Sequence, residues 1–107
     1  MITVGERKAR RLNDLRLAVS AIQEDLRDYA RSHGGRFVVF GSFARGEARF
    51  DSDLDIMVDF PTIAERAAWF YAERSCIDRG VKPDIHLATE SGDDLMARVS
   101  RDGIVIE

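Results

Sequence analysis

The sequence predicts a small α/β (α+β) domain in which a short mixed sheet is flanked by helices. Three observations lead there. Segments with helical periodicity alternate with runs of strand length, in the order α-β-α-β-α-β-α-β. One strand, Asp53 to Phe60, alternates strictly between apolar and mostly acidic positions. The 107 residues fit one domain, with no repeat, low-complexity tract or Pro/Gly/Ser-rich linker to suggest a second.

The first element is a helix from Arg7 to Ser32. Leu12, Leu15, Val19, Ile22, Leu26 and Tyr29 recur at intervals of three and four and form one apolar stripe. His33-Gly34-Gly35 ends it, because glycine accepts the left-handed cap. Arg36-Phe37-Val38-Val39-Phe40 follows, a β-branched and aromatic run of strand length. Gly41-Ser42-Phe43-Ala44-Arg45-Gly46 comes directly after it, as a very short helix. A polar stretch, Glu47 to Ser52, leads into the alternating strand.

In that strand Leu54, Ile56, Val58 and Phe60 share one face. Asp53, Asp55, Met57 and Asp59 share the other. Pro61 then opens a helix running to Arg79, with Thr62 and Glu65 at capping-box spacing. Ile63, Ala67, Phe70, Tyr71 and Ile77 are expected on its buried side, and Gly80 ends it. Trp69, Phe70 and Tyr71 cannot all face one core, so one of them is expected at the surface or in an interface.

A third strand, Pro83 to Ala88, sets Asp84 and His86 on one face and Ile85 and Leu87 on the other. Ser91 to Asp94 repeats the capping-box spacing at the start of a short helix containing Leu95, Met96 and Val99. Gly103 breaks it. Ile104-Val105-Ile106 forms a last edge strand, open to pairing with another chain.

Composition narrows the function classes. Hydrophobic residues are 45% and charged residues 33%, which excludes a disordered chain. No run approaches the ~18 apolar residues that a membrane span needs. The start, Met1 to Lys8, turns charged before a signal-peptide apolar block could form. The single cysteine, Cys76, excludes an internal disulfide and reads as a small buried hydrophobe. A reducing, cytoplasmic location is expected. The net charge of −3 argues against a dedicated nucleic-acid binder. Arg7, Lys8, Arg10, Arg11 and Arg16 make the first helix basic at its start, and this reads as a solvated face.

The chemistry-bearing stretch runs from Gly41 to Asp55. Glycine at a strand-to-helix junction lets the backbone approach a ligand closely. Free N–H groups at a helix start suit a phosphate. Ser42 can donate to a phosphate oxygen, and Arg45 can reach the same anion with its planar fork. Asp53 and Asp55 project from one face and repel unless a cation sits between them. A hard divalent ion meets that need, with substrate phosphates filling its shell. Asp84 is the best third carboxylate, and it would allow two ions for an in-line phosphoryl displacement. His86 shares its face. Asp59, Asp78 and Asp93 are weaker candidates.

Gly41-Ser42-Phe43-Ala44-Arg45-Gly46, followed after the polar stretch by Ser52-Asp53-Leu54-Asp55, resembles the signature of the minimal nucleotidyltransferases. These belong to the DNA polymerase β-like nucleotidyltransferase superfamily. The motif covers about 15 residues, and the order of elements extends the likeness over nearly the whole chain. The resemblance implies the polymerase β-like fold over residues 1–107. It implies that Gly41, Ser42 and Arg45 bind nucleotide, and that Asp53, Asp55 and Asp84 are catalytic and hold Mg2+, with two ions expected and ATP as substrate. The implied reaction transfers AMP to a hydroxyl.

In the minimal subgroup the usual partner is a HEPN-domain toxin, and the acceptor is one of its tyrosines. The chain would then act as an antitoxin, within a hetero-oligomer or a homodimer. Nucleic acid is not expected as the direct substrate. The alternative is a non-catalytic module that neutralises its partner by docking. A third reading, transfer to a small molecule or RNA, is disfavoured by the acidic balance.

Overall fold

A computed structural model describes every residue from Met1 to Glu107. Helix α1 spans Val4–His33, strand β1 Arg36–Phe40, helix α2 Gly41–Ala44 and strand β2 Leu54–Asp59. A single 3-10 turn, Thr62–Ala64, leads to helix α3, Glu65–Asp78. Strand β3 is Pro83–Leu87, helix α4 Asp93–Asp102 and strand β4 Ile104–Ile106. The expected order of helices and strands is present throughout.

The four strands form one sheet in the order β3-β2-β1-β4. β1 runs antiparallel to both β2 and β4, and β2 runs parallel to β3. The mixed character follows from the connections. The link from β1 to β2, through α2, stays at one end of the sheet and returns the chain antiparallel, whereas α3 carries it back over the sheet so that β3 can lie parallel.

The sheet has two unlike faces. Phe37, Val39, Leu54, Ile56 and Val58 point to one side and join Val19, Ile22, Leu26 and Ala30 of α1 and Ala68, Ala72 and Cys76 of α3. This is the main core. Ile22 and Leu26 are fully buried in it, so truncating either to alanine costs about 2–5 kcal/mol. Val38, Phe40 and Met57 point to the other side, where Val99 of α4 closes a smaller cluster. The acidic face of β2 is therefore only part solvent, because Met57 is buried beneath α4.

α1 starts earlier than its apolar stripe predicts. Thr3 caps it, its Oγ1 accepting a hydrogen bond from the Glu6 N–H at 3.1 Å. The stripe marks the buried part of the helix and not its length. Gly34 takes the left-handed cap with φ of 72°, and its N–H donates to the Ala30 carbonyl.

The expected inner face of α3 is corrected. Ile63, Phe70 and Ile77 are 96%, 51% and 58% exposed, and Ala67 is exposed too. Small residues, Ala68, Ala72 and Cys76, join the core against the sheet instead, and the buried Ser75 donates to Asp25 of α1. They let α3 approach closely, while Trp69 and Tyr71 pack at its flanks. Of the three consecutive aromatics, Phe70 is the exposed one.

Neither capping box forms. Ala64 precedes α3 without a side-chain cap, and Glu65 is buried and accepts a hydrogen bond from Thr89. Gly92 precedes α4, and the Ser91 hydroxyl donates to the Leu87 carbonyl at 2.7 Å. Thr89, from a distant segment, takes Glu65, and the Leu87 carbonyl, one turn earlier, takes Ser91, so neither side chain serves the helix end that its spacing assigned.

Candidate active site

The end of β1 and the start of β2 meet where the chain turns into α2. Phe40 pairs in register with Asp55, and Asp55 pairs with Asp84 across the parallel strands. Two positions further along β3, on the same face, stands His86. Its Nε2 lies 3.2 Å from Asp84 Oδ1. One ligand atom from each of Asp55, Asp84 and His86 falls within 4.8 Å of the others.

Gly41 is required by this arrangement. Its φ is 71°, in the left-handed region. A Cβ on Gly41 would overlap the Asp55 carboxylate. The backbone turn therefore sits against the acidic pair with no side chain between them. Ser42 follows in the single turn of α2, whose N-terminus no side chain caps. Arg45 stands at its other end, its Nε 3.2 Å from Glu47 Oε2. Glu47 N–H donates to the Ser42 carbonyl at 2.8 Å and closes the turn.

These residues line a cleft of about 410 Å³. Gly41, Ser42 and Arg45 form one wall, and Asp55, Asp84 and His86 another. The third wall is α4, through Leu95, Arg98 and Asp102. Arg98 makes no ion pair within the chain. Sequence reasoning missed Arg98 and Asp102. The spacing of Leu95, Arg98 and Asp102 by three and four was the available signal, but it carries no information until α4 is known to lie over the Met57 face.

Asp55 is pushed up to about 6 by burial first, and next by the adjacent Asp84, through both a hydrogen bond and its charge. The charge of Asp53 adds to the effect, and that of His86 opposes it. Carboxylates forced together in this way, with an imidazole beside them, make a donor set that fits a divalent ion.

The expected residues are gathered unequally. Gly41, Ser42, Arg45, Asp55 and Asp84 all line the cleft. Asp53 precedes β2, is exposed, and lies outside the close cluster. Asp59 is drawn away to Arg36, whose Nε is 2.7 Å from its Oδ2. Asp78 pairs with Arg74.

The family model described as nucleotidyltransferase domain matches residues 19–104. This chain belongs to the nucleotidyltransferase domain family. The match runs from α1 to β4 and takes in every residue of the cleft. A solved structure described as a minimal nucleotidyltransferase is 35% identical to this nucleotidyltransferase domain, with a TM-score of 0.61 over 80% of this chain and 90% of that one. A second, described as a toxin–antitoxin with AMP-PNP, has a TM-score of 0.63 over 79% of this chain and 72% of that one. At 20% identity it shares the fold.

Among curated proteins, the protein adenylyltransferase MntA of Thermococcus cleftensis is 43% identical over 53 residues. Those residues are 49% of this chain and 50% of that protein, so the match spans half the relative's length. No helix of the chain is long and apolar enough to cross a membrane.

Proposed function

We propose that residues 1–107 act as a single nucleotidyltransferase domain that moves AMP from ATP to a hydroxyl on a partner protein. The observation that carries this reading is the register pairing of Asp55 with Asp84 directly beneath the Gly41-Ser42 turn. The family membership supports the reaction class. The similarity to a protein adenylyltransferase supports a protein as acceptor. The neighbour described as a toxin–antitoxin supports an antitoxin role. The resemblance of the motif points further, to a tyrosine of a HEPN-type toxin and to action in the cytoplasm.

In this reading Gly41 and Ser42 hold the β- and γ-phosphates by backbone N–H groups and the Ser42 hydroxyl. Arg45 and Arg98 flank them with positive charge. Asp53, Asp55 and Asp84 would hold one or two divalent ions, Mg2+ by the family resemblance, which would supply charge neutralisation on the triphosphate. The acceptor oxygen attacks the α-phosphorus, the bond from that phosphorus to the bridging oxygen breaks, and pyrophosphate leaves. Where Asp84 serves as base and not as a second-site ligand, its half-exposed carboxylate would take the hydroxyl proton. Most of the rate comes from positioning and charge complementarity.

The test is label transfer in native-host lysate. Label from the α-phosphate of ATP should enter a macromolecule, and label from the γ-phosphate should not. Incorporation from the γ-phosphate would overturn nucleotidyl transfer.

A second reading, docking without catalysis, is favoured by the exposed apolar residues Ile63, in the turn before α3, and Phe70 and Ile77 on α3. It predicts that the Asp53→Asn, Asp55→Asn double variant still neutralises the partner. Loss of neutralisation in a folded double variant excludes it.

A further inference from the structure

The family motif accounts for carboxylates, but the cleft also holds an imidazole. His86 is fixed by its surroundings. It lies two residues from Asp84 on the same face of β3, and its ring meets Phe40 at 5.6 Å between centroids, tilted by 56°. Its Nε2 faces the acidic pair. Separation is informative here. Two neighbouring ligands of a six-coordinate ion with bonds near ~2.1 Å stand about 3.0 Å apart. The Nε2 and Asp84 Oδ1 atoms are 3.2 Å apart. One carboxylate oxygen of Asp55 completes a triangle within 4.8 Å. The Gly41 turn keeps the space beside Asp55 free of any side chain.

We propose that His86 is a nitrogen ligand to the cation held by Asp55 and Asp84, so that this site selects a first-row transition dication over Mg2+. The inference rests on the cation site of the proposed function and deepens it. Mg2+ prefers an all-oxygen shell and keeps several waters. An imidazole donor shifts preference towards Mn2+ and the later ions of its series. Mn2+ is the weakest binder of that series, so it is the most demanding probe.

The experiment uses the full chain with Mn2+ alone. Pulsed electron paramagnetic resonance reads directly bound nitrogen, and competition with Mg2+ reads selectivity. The wild-type protein should show nitrogen coupling whose frequencies change when histidine is labelled with 15N. His86→Gln should lose the coupling. Its preference for Mn2+ over Mg2+ should fall by about tenfold or more, in line with the 10–100-fold that supporting groups of metal sites contribute.

Bound Mn2+ without nitrogen coupling would overturn the proposal and leave the carboxylate site standing. Coupling that persists in His86→Gln, or an unchanged preference, would also overturn it. Failure of Mn2+ to bind the wild type would overturn both this proposal and the cation site beneath it. The isotope readout on the wild type decides the matter even where His86→Gln fails to fold.

Discussion

Asp55 and Asp84 are direct neighbours across the parallel β2–β3 pair, and burial first, then Asp84 beside it, pushes the Asp55 carboxyl up to about 6. A carboxyl whose folded pKa lies above its unfolded value binds protons more tightly when folded. The stability it contributes is full below its ordinary 3.8 and is lost as pH rises through about 6.

The metal-free protein is therefore strained at this site at neutral pH. Asp55→Asn should raise the Tm of metal-free protein near neutral pH and have little effect near pH 4. A divalent ion should raise the wild-type Tm more at neutral pH than near pH 5, where protons compete with it. At free ion 100 times its Kd the stabilisation is about 2.7 kcal/mol. A wild-type Tm indifferent to the ion across this range would contradict the assignment.

Gly41 and Gly46 both have positive φ, 71° and 73°, but only Gly41 faces Asp55. Replacing either by alanine costs about 1–2 kcal/mol of backbone strain. Gly41→Ala should cost more in denaturant melts, because its Cβ would also displace the Asp55 carboxylate. Nucleotidyl transfer should fall sharply in Gly41→Ala and survive in Gly46→Ala.

Ile63, in the turn before α3, and Phe70 and Ile77 on α3 are exposed, and Phe70 meets Trp69 and Arg66 of its own helix. Phe70→Ser and Ile77→Ser should change stability by no more than about 0.5 kcal/mol. Their co-purification with a partner protein should drop. Loss of folding in either variant would show that these residues are structural.

Cys76 is fully buried, and burial pushes its thiol up to about 12. The thiolate is the reactive form. Native protein should therefore resist alkylation at neutral pH and react only on unfolding. The labelling rate then reports global opening, and rapid labelling of folded protein would contradict the buried placement.

The strands were legible because their neighbours in the chain define them. Arg36–Phe40 and the alternating run from Leu54 need no tertiary knowledge. The Gly41-Ser42 turn was legible because Gly41, Ser42 and Asp55 lie within one short motif. Asp84 was legible from its face on β3. The inner side of α3 was not. Hydrophobicity alone pointed to Ile63, Phe70 and Ile77, whereas the buried face is made by the small residues Ala68, Ala72 and Cys76. Arg98 was hidden for a related reason. α4 presents Val99 to the sheet and Arg98 to the cleft, and the choice depends on Met57 being buried there.

The central claim is that the Asp55–Asp84 pair beneath the Gly41-Ser42 turn performs nucleotidyl transfer. The most direct test compares wild type with the Asp55→Asn, Asp84→Asn double variant in native-host lysate, with divalent ion and ATP labelled at the α-phosphate. Circular dichroism confirms that both are folded. The expected result is a labelled macromolecule with wild type alone, together with released pyrophosphate. Equal labelling by the folded double variant would contradict it.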